Sequence, residues 1–228
     1  MLDWPDCRNV RDLGGVPTRD GSRIRCGALI RADDLAHLTA EGHAAVHAAG
    51  VRRVIDLRGR AETELLPSPF AGDERYRWLP FIDEVADRQR DPVAESTLLA
   101  TYRGSVERNA RNIVAGLRAV ADAPAGGVVV HCSAGKDRTG VLVALALSVA
   151  GVAPDDIAED YTRTAECLPE TILGTLDLVT ERYGDVPRYL ARHGMTPAEI
   201  DALRTRLRGE EKILPGATRS WRRSPRCA

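Results

Sequence analysis

The chain has 228 residues, of which 43% are hydrophobic and 29% are charged. This composition is typical of a folded globular domain and excludes collagen-like and wholly disordered chains. The 32 basic and 33 acidic side chains leave a formal charge of -1, so no overall field draws the protein to nucleic acid or to a membrane. We therefore expect no nucleic-acid partner, and any recognition of phosphate must be local.

Two features of the sequence bear on its cellular context. The longest apolar run, residues 141–150, is far shorter than the roughly 20 residues that span a bilayer. The N-terminus carries Asp3 and Asp6, where a signal peptide has a basic region followed by an apolar one. These features predict a cytoplasmic protein without a transmembrane segment. The five cysteines lack the paired short spacings of a zinc site or a disulfide framework, which predicts free thiols and no metal.

The first half of the chain alternates turns, strands and helices. Gly14-Gly15 and Asp20-Gly21 flank two short extended segments and predict a hairpin. Thr39 is expected to cap a helix that ends at Gly50. Apolar runs predict strands at residues 51–57, 77–81 and 128–130. Between the last two, apolar residues spaced by three and four predict one long helix over residues 99–120.

The second half, after His131, is helical in pattern. Helices are predicted at residues 139–150 and 168–183, and a third begins at Thr196, which with Glu199 forms a capping box. Strands that alternate with helices predict an α/β domain, a short and mostly parallel sheet flanked by helices, over residues 1–208. Residues 209–228 are basic without a periodic pattern and predict a disordered tail.

Residues 128–141, VVVHCSAGKDRTGV, carry the chemistry. A strand leads through a polar loop into a buried helix, so backbone amides and the helix dipole converge on one point and can bind an anion. Cys132 lies at the entrance of the loop. Arg138 lies at its far end, where a guanidinium can form two hydrogen bonds to phosphate oxygens. The same field favours a thiolate, so the pattern predicts a phosphate site with a nucleophilic cysteine.

Two other interpretations of the loop fail on its residues. A nucleotide-binding loop requires glycine five residues before Gly135 and serine or threonine after Lys136, but Val130 and Asp137 stand there. A cysteine protease requires a histidine that reaches the cysteine from elsewhere in the fold. His131 is instead the chain neighbour of the cysteine, at a strand end where successive side chains point to opposite faces.

The segment HCSAGKDRTG resembles the Cys-x5-Arg-Ser/Thr signature of the protein tyrosine phosphatase superfamily, in the form of its atypical bacterial branch. Other segments are similar to landmarks of that branch: residues 9–15, 29–33, 54–58 and 183–190. The resemblance implies the Cys-x5-Arg phosphatase fold and hydrolysis of phosphate monoesters without a cofactor. Its substrates would be phosphorylated proteins, with phosphotyrosine first and phosphoserine or phosphothreonine next, or phosphoinositide head groups. The oligomeric state stays open.

The resemblance also assigns roles to individual residues. Cys132 would take the phosphoryl group as a cysteinyl phosphate, which water then hydrolyses. Arg138 and the loop amides would bind the phosphate oxygens. By this resemblance the phosphate-binding residues would be Ser133, Ala134, Gly135, Lys136, Asp137 and Arg138. Thr139 would hydrogen-bond the departing thiolate, and His131 would order the loop from beneath.

The general acid is where this sequence departs from the better-known family pattern. Classical members carry a mobile aspartate loop, often Trp-Pro-Asp, a few tens of residues before the cysteine. Here Trp4-Pro5-Asp6 lies ahead of the first strand, and we interpret it as a coincidence. Asp137 is the leading candidate because it lies beside Arg138 at the mouth of the loop. Asp83, in an acidic loop after a strand, is the alternative, and Asp137 could instead only brace Lys136 or Arg138.

Several hypotheses stay open at this point. Lys136 suits a substrate with more than one phosphate, but a solvated charge explains it equally well. Arg11, Arg31 and Arg58 could line the pocket or form ion pairs with nearby aspartates. The alternative function is a catalytically weak, phosphate-binding regulatory module of the same fold.

A reactive thiolate is also the form of cysteine that peroxide oxidises. Cys7 or Cys26 would then be candidate redox partners of Cys132.

Overall fold

A five-stranded sheet forms the centre of the computed structural model, which describes residue 2 and residues 4–208. The strands are β1 (Arg11–Asp12), β2 (Ile30–Ala32), β3 (Val51–Asp56), β4 (Tyr76–Trp78) and β5 (Gly127–His131), in the order β1-β2-β5-β3-β4. Only the β1 and β2 pair is antiparallel. The predicted α/β class with a mostly parallel sheet is confirmed.

Helices form most of the described chain outside the sheet. The described residues form a 3-10 helix at Leu35–His37 and the α-helices α1 (Ala40–Ala48), α2 (Arg60–Leu65), α3 (Glu84–Asp87), α4 (Leu98–Arg108), α5 (Ala110–Ala121), α6 (Asp137–Val149), α7 (Pro154–Thr162), α8 (Pro169–Tyr183), α9 (Val186–Arg192) and α10 (Pro197–Leu207). In this part of the chain no helix is both long and apolar enough to cross a membrane.

Apolar side chains cover both faces of the sheet. Because neighbouring side chains of a strand point to opposite faces, Val129 of β5 packs on one side with Trp4 and Val46, the latter from α1. Val128 and Val130 pack on the other side, in the large cluster that contains α5, α6 and the C-terminal helices. This burial on both faces explains why β5 contains consecutive valines rather than alternating apolar and polar residues.

The strand register brings the functional ends of three strands together. Ala32 at the end of β2 and Asp56 at the end of β3 are both paired with His131 at the end of β5. Whatever follows these strands therefore meets at one edge of the sheet. Ligand sites of open α/β sheets lie at such carboxyl edges.

Most of the predicted local signals are confirmed. The Thr39 hydroxyl accepts a hydrogen bond from the Gly42 amide at 3.2 Å, and α1 follows it. Thr196 and Glu199 form the predicted capping box. The hairpin is present, with the Ile24 amide bonded to the Val16 carbonyl at 2.8 Å.

The prediction of one long helix over residues 99–120 is wrong, because the helix is interrupted at Asn109 and forms α4 and α5 instead. The Asn109 carboxamide donates to the Ser105 carbonyl at 3.0 Å and accepts from the Asp83 amide at 2.7 Å. This second contact ties the break to the loop that follows β4. The strand predicted at residues 77–81 is shorter and begins one residue earlier, as β4.

The four cysteines among the described residues divide into two groups. Cys7, Cys132 and Cys167 are free thiols, as predicted, whereas Cys26 forms a disulfide. The prediction of free thiols is therefore wrong for Cys26. The tail predicted at residues 209–228 lies outside the described residues.

Candidate active site

The loop from Cys132 to Lys136 joins the central strand β5 to the N-terminus of α6. Cys132 is only 2% exposed and follows directly on the edge where β2, β3 and β5 end. The amides of the first turn of α6 have no carbonyl partners within the helix, and the positive end of the helix dipole lies there. The loop therefore has the electrostatic setting of an anion site.

Three successive carbonyls of the loop are held from outside. Their donors are as follows: the Asp34 amide to Ser133 at 3.0 Å, the Asn9 carboxamide to Ala134 at 3.0 Å, and the Arg31 guanidinium to Gly135 at 2.6 Å. In a trans peptide the carbonyl and the amide of the next residue point in opposite directions. Fixing these carbonyls outward therefore turns the amides of Ala134, Gly135 and Lys136 to the inside of the loop.

Gly135 is the residue that allows the loop to lie so close to the sheet. Its φ of +63° is in the left-handed region, and a Cβ there would lie 2.4 Å from the Ala32 carbonyl oxygen. Any side chain at this position would push the loop away from β2. The Gly135 carbonyl would then lose Arg31.

Behind the loop, a buried carboxylate holds two arginines. Asp160 of α7 accepts from Arg31 and from Arg11, each at 2.7 Å, and Arg31 is fully buried. Burial raises the pKa of Asp160, but the two guanidiniums outweigh it and hold the pKa below its usual value. The nearby aspartates, which were one of two alternatives for Arg11 and Arg31, do not pair with them, and Asp160 was not predicted.

Beneath the loop lies a second buried ion pair. Arg58 bonds Asp56 at 2.7 Å and Asp34 at 2.9 Å, as the sequence allowed. His131 is fully buried, with Nε2 at 3.7 Å from Asp56 Oδ2 and Nδ1 at 3.3 Å from the Cys132 carbonyl oxygen. Burial lowers the pKa of His131 although Asp56 opposes the shift. The imidazole is therefore neutral and contacts the first peptide of the loop.

Arg138 is oriented by a glutamate that the sequence analysis missed. Glu62, in the first turn of α2, accepts hydrogen bonds from both terminal nitrogens of the Arg138 guanidinium, at 2.5 and 2.8 Å. It also accepts a hydrogen bond from the Ser133 hydroxyl. The Gly59 amide donates to the same carboxylate at 2.7 Å. The hydrogen bonds from Arg138 are the largest cause that lowers the pKa of Glu62 to about 2. Both partners thus stay charged.

Three neighbours raise the pKa of Arg138. Burial alone would lower the pKa of Arg138, but the hydrogen bonds to Glu62 and the charges of Cys132, Glu62 and Asp137 raise it. The guanidinium of Arg138, the candidate nucleophile Cys132 and the leading acid candidate Asp137 therefore lie within electrostatic reach of one another. The spacing from Gly59 to Glu62, which forms a capping arrangement, was the only local signal for Glu62.

Asp137 is the first residue of α6 and accepts a hydrogen bond from the Tyr102 hydroxyl at 2.5 Å. Within the described chain it forms no ion pair with Lys136 or Arg138. Lys136 instead lies 3.4 Å from Glu166. The contact that fixes Asp137 thus comes from a distant tyrosine and not from its basic neighbours.

Asp83 has a different environment. Its carboxylate caps α3 by accepting from the Val85 and Ala86 amides at 2.9 and 3.1 Å. A carboxylate bound by two amides at a helix start has the geometry of a structural cap. Of the Trp4-Pro5-Asp6 segment, Trp4 is buried in the core on the α1 face of the sheet.

Two further polar side chains lie near the loop. Thr139 is fully buried, and its hydroxyl has no hydrogen-bond partner among the described residues. Buried hydroxyls are rarely unpaired, so this one is available to a sulfur or a ligand. The Cys7 thiol donates to Asp33 at 2.8 Å, and burial is the main cause that raises its pKa. Cys7 is therefore a thiol rather than a thiolate.

Residues 2–209 match a model of the tyrosine phosphatase family. A provisionally named tyrosine-protein phosphatase of Cupriavidus necator is 32% identical over 172 residues, 70% of this chain and 61% of that protein. A tyrosine-protein phosphatase of Nostoc commune is 30% identical over 161 residues, 67% of this chain and 53% of that protein. The triple specificity protein phosphatase PtpB of Mycobacterium tuberculosis is 27% identical over 215 residues, 80% of this chain and 76% of that protein. The matched region thus spans less than two thirds of the first two relatives.

Proposed function

The chain belongs to the tyrosine phosphatase family, and on this premise we propose that it hydrolyses phosphate monoesters through a cysteinyl-phosphate intermediate. The observation that carries the proposal is the loop whose carbonyls are bound from outside, beside Cys132 and Arg138. Inward amides and a fixed guanidinium match the equatorial oxygens of a transferring phosphoryl group. Residues 1–208 would form a single phosphatase domain, since both core clusters pack on the same sheet.

In the first step the Cys132 thiolate attacks phosphorus. The sulfur–phosphorus bond forms as the bond to the leaving oxygen breaks, and Asp137 gives that oxygen its proton. The loop amides and Arg138 hold the charge on the three remaining oxygens. Since positioning and charge stabilisation account for most of the catalysis of phosphoryl transfer, the reaction would need no metal.

In the second step water attacks the phosphocysteine. Asp137 takes a proton from the water as the phosphorus–sulfur bond breaks, and inorganic phosphate leaves. The Thr139 hydroxyl, which is buried and unpaired in the described structure, would donate to the departing thiolate. His131, neutral and fixed beneath the loop, supports the peptide that carries the sulfur.

The proposed substrates are phosphotyrosine first, then phosphoserine, phosphothreonine and phosphoinositide head groups. Lys136 supplies a second cation in the loop, held 3.4 Å from Glu166, whose side chain is 88% exposed. An exposed carboxylate at this distance is exchanged at little cost for a second phosphate. Comparison of kcat/KM for a phosphotyrosine peptide, a phosphoserine peptide and a phosphoinositide ranks these classes.

Hydrolysis of p-nitrophenyl phosphate in the presence of chelator tests the proposal. The wild-type protein should hydrolyse this substrate, and Cys132→Ser should not. The variant should still bind vanadate, because the loop amides and Arg138 remain. Cys7→Ser, which removes another thiol near the loop, is the matched control and should retain activity. Phosphate binding by the wild-type protein without turnover would instead favour the regulatory module. Activity retained in Cys132→Ser would exclude the covalent mechanism.

A further inference from the structure

Two buried tyrosines lie in series behind Asp137. Tyr102 of α4 and Tyr161 of α7 are 4% and 1% exposed. The Tyr102 hydroxyl is 2.5 Å from Asp137 Oδ1 and 2.8 Å from the Tyr161 hydroxyl, and the two rings meet edge to face with centroids 6.4 Å apart. Side chains from three helices thus form one hydrogen-bonded row that ends at the leading acid candidate.

The direction of these hydrogen bonds follows from counting protons. A phenol has one proton to donate, and Tyr102 donates it to Asp137. The bond between the two hydroxyls must then be donated by Tyr161. Burial is the largest cause that raises the pKa of both phenols, so neither loses its proton in the physiological range. In this arrangement Tyr161 donates to Tyr102, and Tyr102 donates to Asp137.

A glycine in α6 makes room for this arrangement. A Cβ at Gly140 would lie 2.8 Å from Cε2 and 3.0 Å from Cδ2 of the Tyr161 ring. Glycine is unfavourable inside a helix relative to alanine, and here it allows the ring to pack directly on the helix backbone. Tyr161 is therefore held by close packing as well as by hydrogen bonding.

We propose that Tyr102 is a positioning residue for Asp137, and that Tyr161 in turn fixes Tyr102 as a donor. This inference rests on the proposed phosphatase function. With Oδ1 occupied by the Tyr102 proton, the acidic proton of Asp137 must lie on Oδ2, the oxygen that is left for the substrate. The row thus decides which oxygen of the carboxyl group faces the leaving group.

The row also stabilises the charge that forms during the reaction. As the phosphorus–oxygen bond breaks, the Oδ2 proton moves to the leaving oxygen and its bonding electrons remain on the carboxylate. The hydrogen bond from Tyr102 becomes charge-assisted at that moment, and such bonds are about twice as strong as neutral ones. Tyr102 keeps its own proton throughout, and water restores that of Asp137 in the second step.

The test compares leaving groups in Tyr102→Phe, Asp137→Asn and the double variant. Phenolate is a poorer leaving group than p-nitrophenolate, so hydrolysis of phenyl phosphate depends far more on the proton that Asp137 donates. Tyr102→Phe should therefore lower kcat/KM for phenyl phosphate by about tenfold, as expected for a hydrogen bond to a charged group, with a much smaller change for p-nitrophenyl phosphate. Asp137→Asn should show a larger selective loss. In the double variant, Tyr102→Phe should add no further selective loss.

Tyr189→Phe is the matched control. Tyr189 is fully buried, and its hydroxyl also bonds α4, at the Val106 carbonyl 2.6 Å away. Tyr189→Phe should lose about as much stability as Tyr102→Phe, without a change in leaving-group preference. If Tyr102→Phe does not fold, Tyr161→Phe takes its place, with a smaller loss of the same selective kind.

The outcomes separate this proposal from the proposed function. No turnover by the wild-type protein would overturn both. Turnover that depends on Cys132, with an equal loss for both substrates in Tyr102→Phe or with losses that multiply in the double variant, would overturn the role of the tyrosines alone. Unchanged vanadate affinity in Tyr102→Phe, together with the selective loss, would support it, because a merely structural defect would weaken the phosphate site as well.

Discussion

Two arginines support the loop between β5 and α6 in different ways. Arg31 is fully buried, pairs with the buried Asp160, and binds a backbone carbonyl of the loop. The side chain of Arg138 is 21% exposed, and its partner Glu62 is 37% exposed. The first pair shapes the backbone of the loop, whereas the second orients the side chain of Arg138, for which we propose a role in substrate binding.

The difference in burial separates folding from function. A buried charge without its partner is strongly unfavourable because water cannot reach it. A partly exposed charge that loses its partner is solvated instead, so its loss costs little stability. Variants behind the loop should therefore act first on folding, and variants in front of it should act first on catalysis.

Asp160→Asn should have the largest effect. It leaves Arg11 and Arg31 without a counter-charge in the interior, which typically costs about 3–5 kcal/mol of the free energy of unfolding. Urea unfolding measures this loss. Asp201→Asn is the control, because Asp201 pairs with Arg204 on the surface with 69% of its side chain exposed. An Asp160→Asn protein as stable as that control would show that the buried pair is dispensable.

Glu62→Gln should act mainly on the rate. The amide cannot bind the guanidinium of Arg138 with two charged oxygens, so kcat/KM should fall by about tenfold, in line with the loss of a charge-assisted hydrogen bond. The free energy of unfolding should change by only about 1 kcal/mol. Glu64→Gln, on the same helix and 3.8 Å from Arg60, should change neither. Wild-type kinetics in Glu62→Gln would mean that the loop alone orients Arg138.

The smallest effect concerns pH. Pairing with Arg138 lowers the pKa of Glu62 from its usual 4.5 to about 2. A carboxylate with a lowered pKa stabilises the fold above its unfolded pKa and loses that contribution as the pH falls toward the folded value. The stability gap between wild type and Glu62→Gln should thus be constant from pH 7 to 5 and narrow at pH 3. Urea unfolding at the three pH values checks this, and a gap that closed above pH 5 would contradict the pairing.

The sequence predicted the parts of the site that local chemistry determines. The valine run of β5, the polar loop and the apolar helix are adjacent in the chain, and each has a strong signal of its own. The loop was therefore located correctly, but α6 begins at Asp137, two residues before the predicted helix start at Thr139, and the roles of the loop residues are still predictions. The cap at Thr39 and the capping box at Thr196 were predictable for the same reason.

The sequence did not predict the contacts that join distant segments. Asp160 pairs with Arg31 across 129 residues, and Glu62 meets Arg138 across 76. A carboxylate in a helix has no local mark that separates a buried partner from a solvated charge. The break at Asn109 was hidden in a similar way, since the apolar spacing continues through it while its carboxamide binds Asp83, 26 residues away.

The outward-held carbonyls of the loop also have a consequence for folding kinetics. Two of their donors, Arg31 and Asn9, are 104 and 125 residues away in the chain. Contacts of such separation carry a large closure entropy and slow the search for the native state. If these contacts form after the rate-limiting step of folding, the transition state lacks the inward amides. An anion then binds the folded state but not the transition state. Inorganic phosphate should then prolong the lifetime of the folded protein without accelerating its formation.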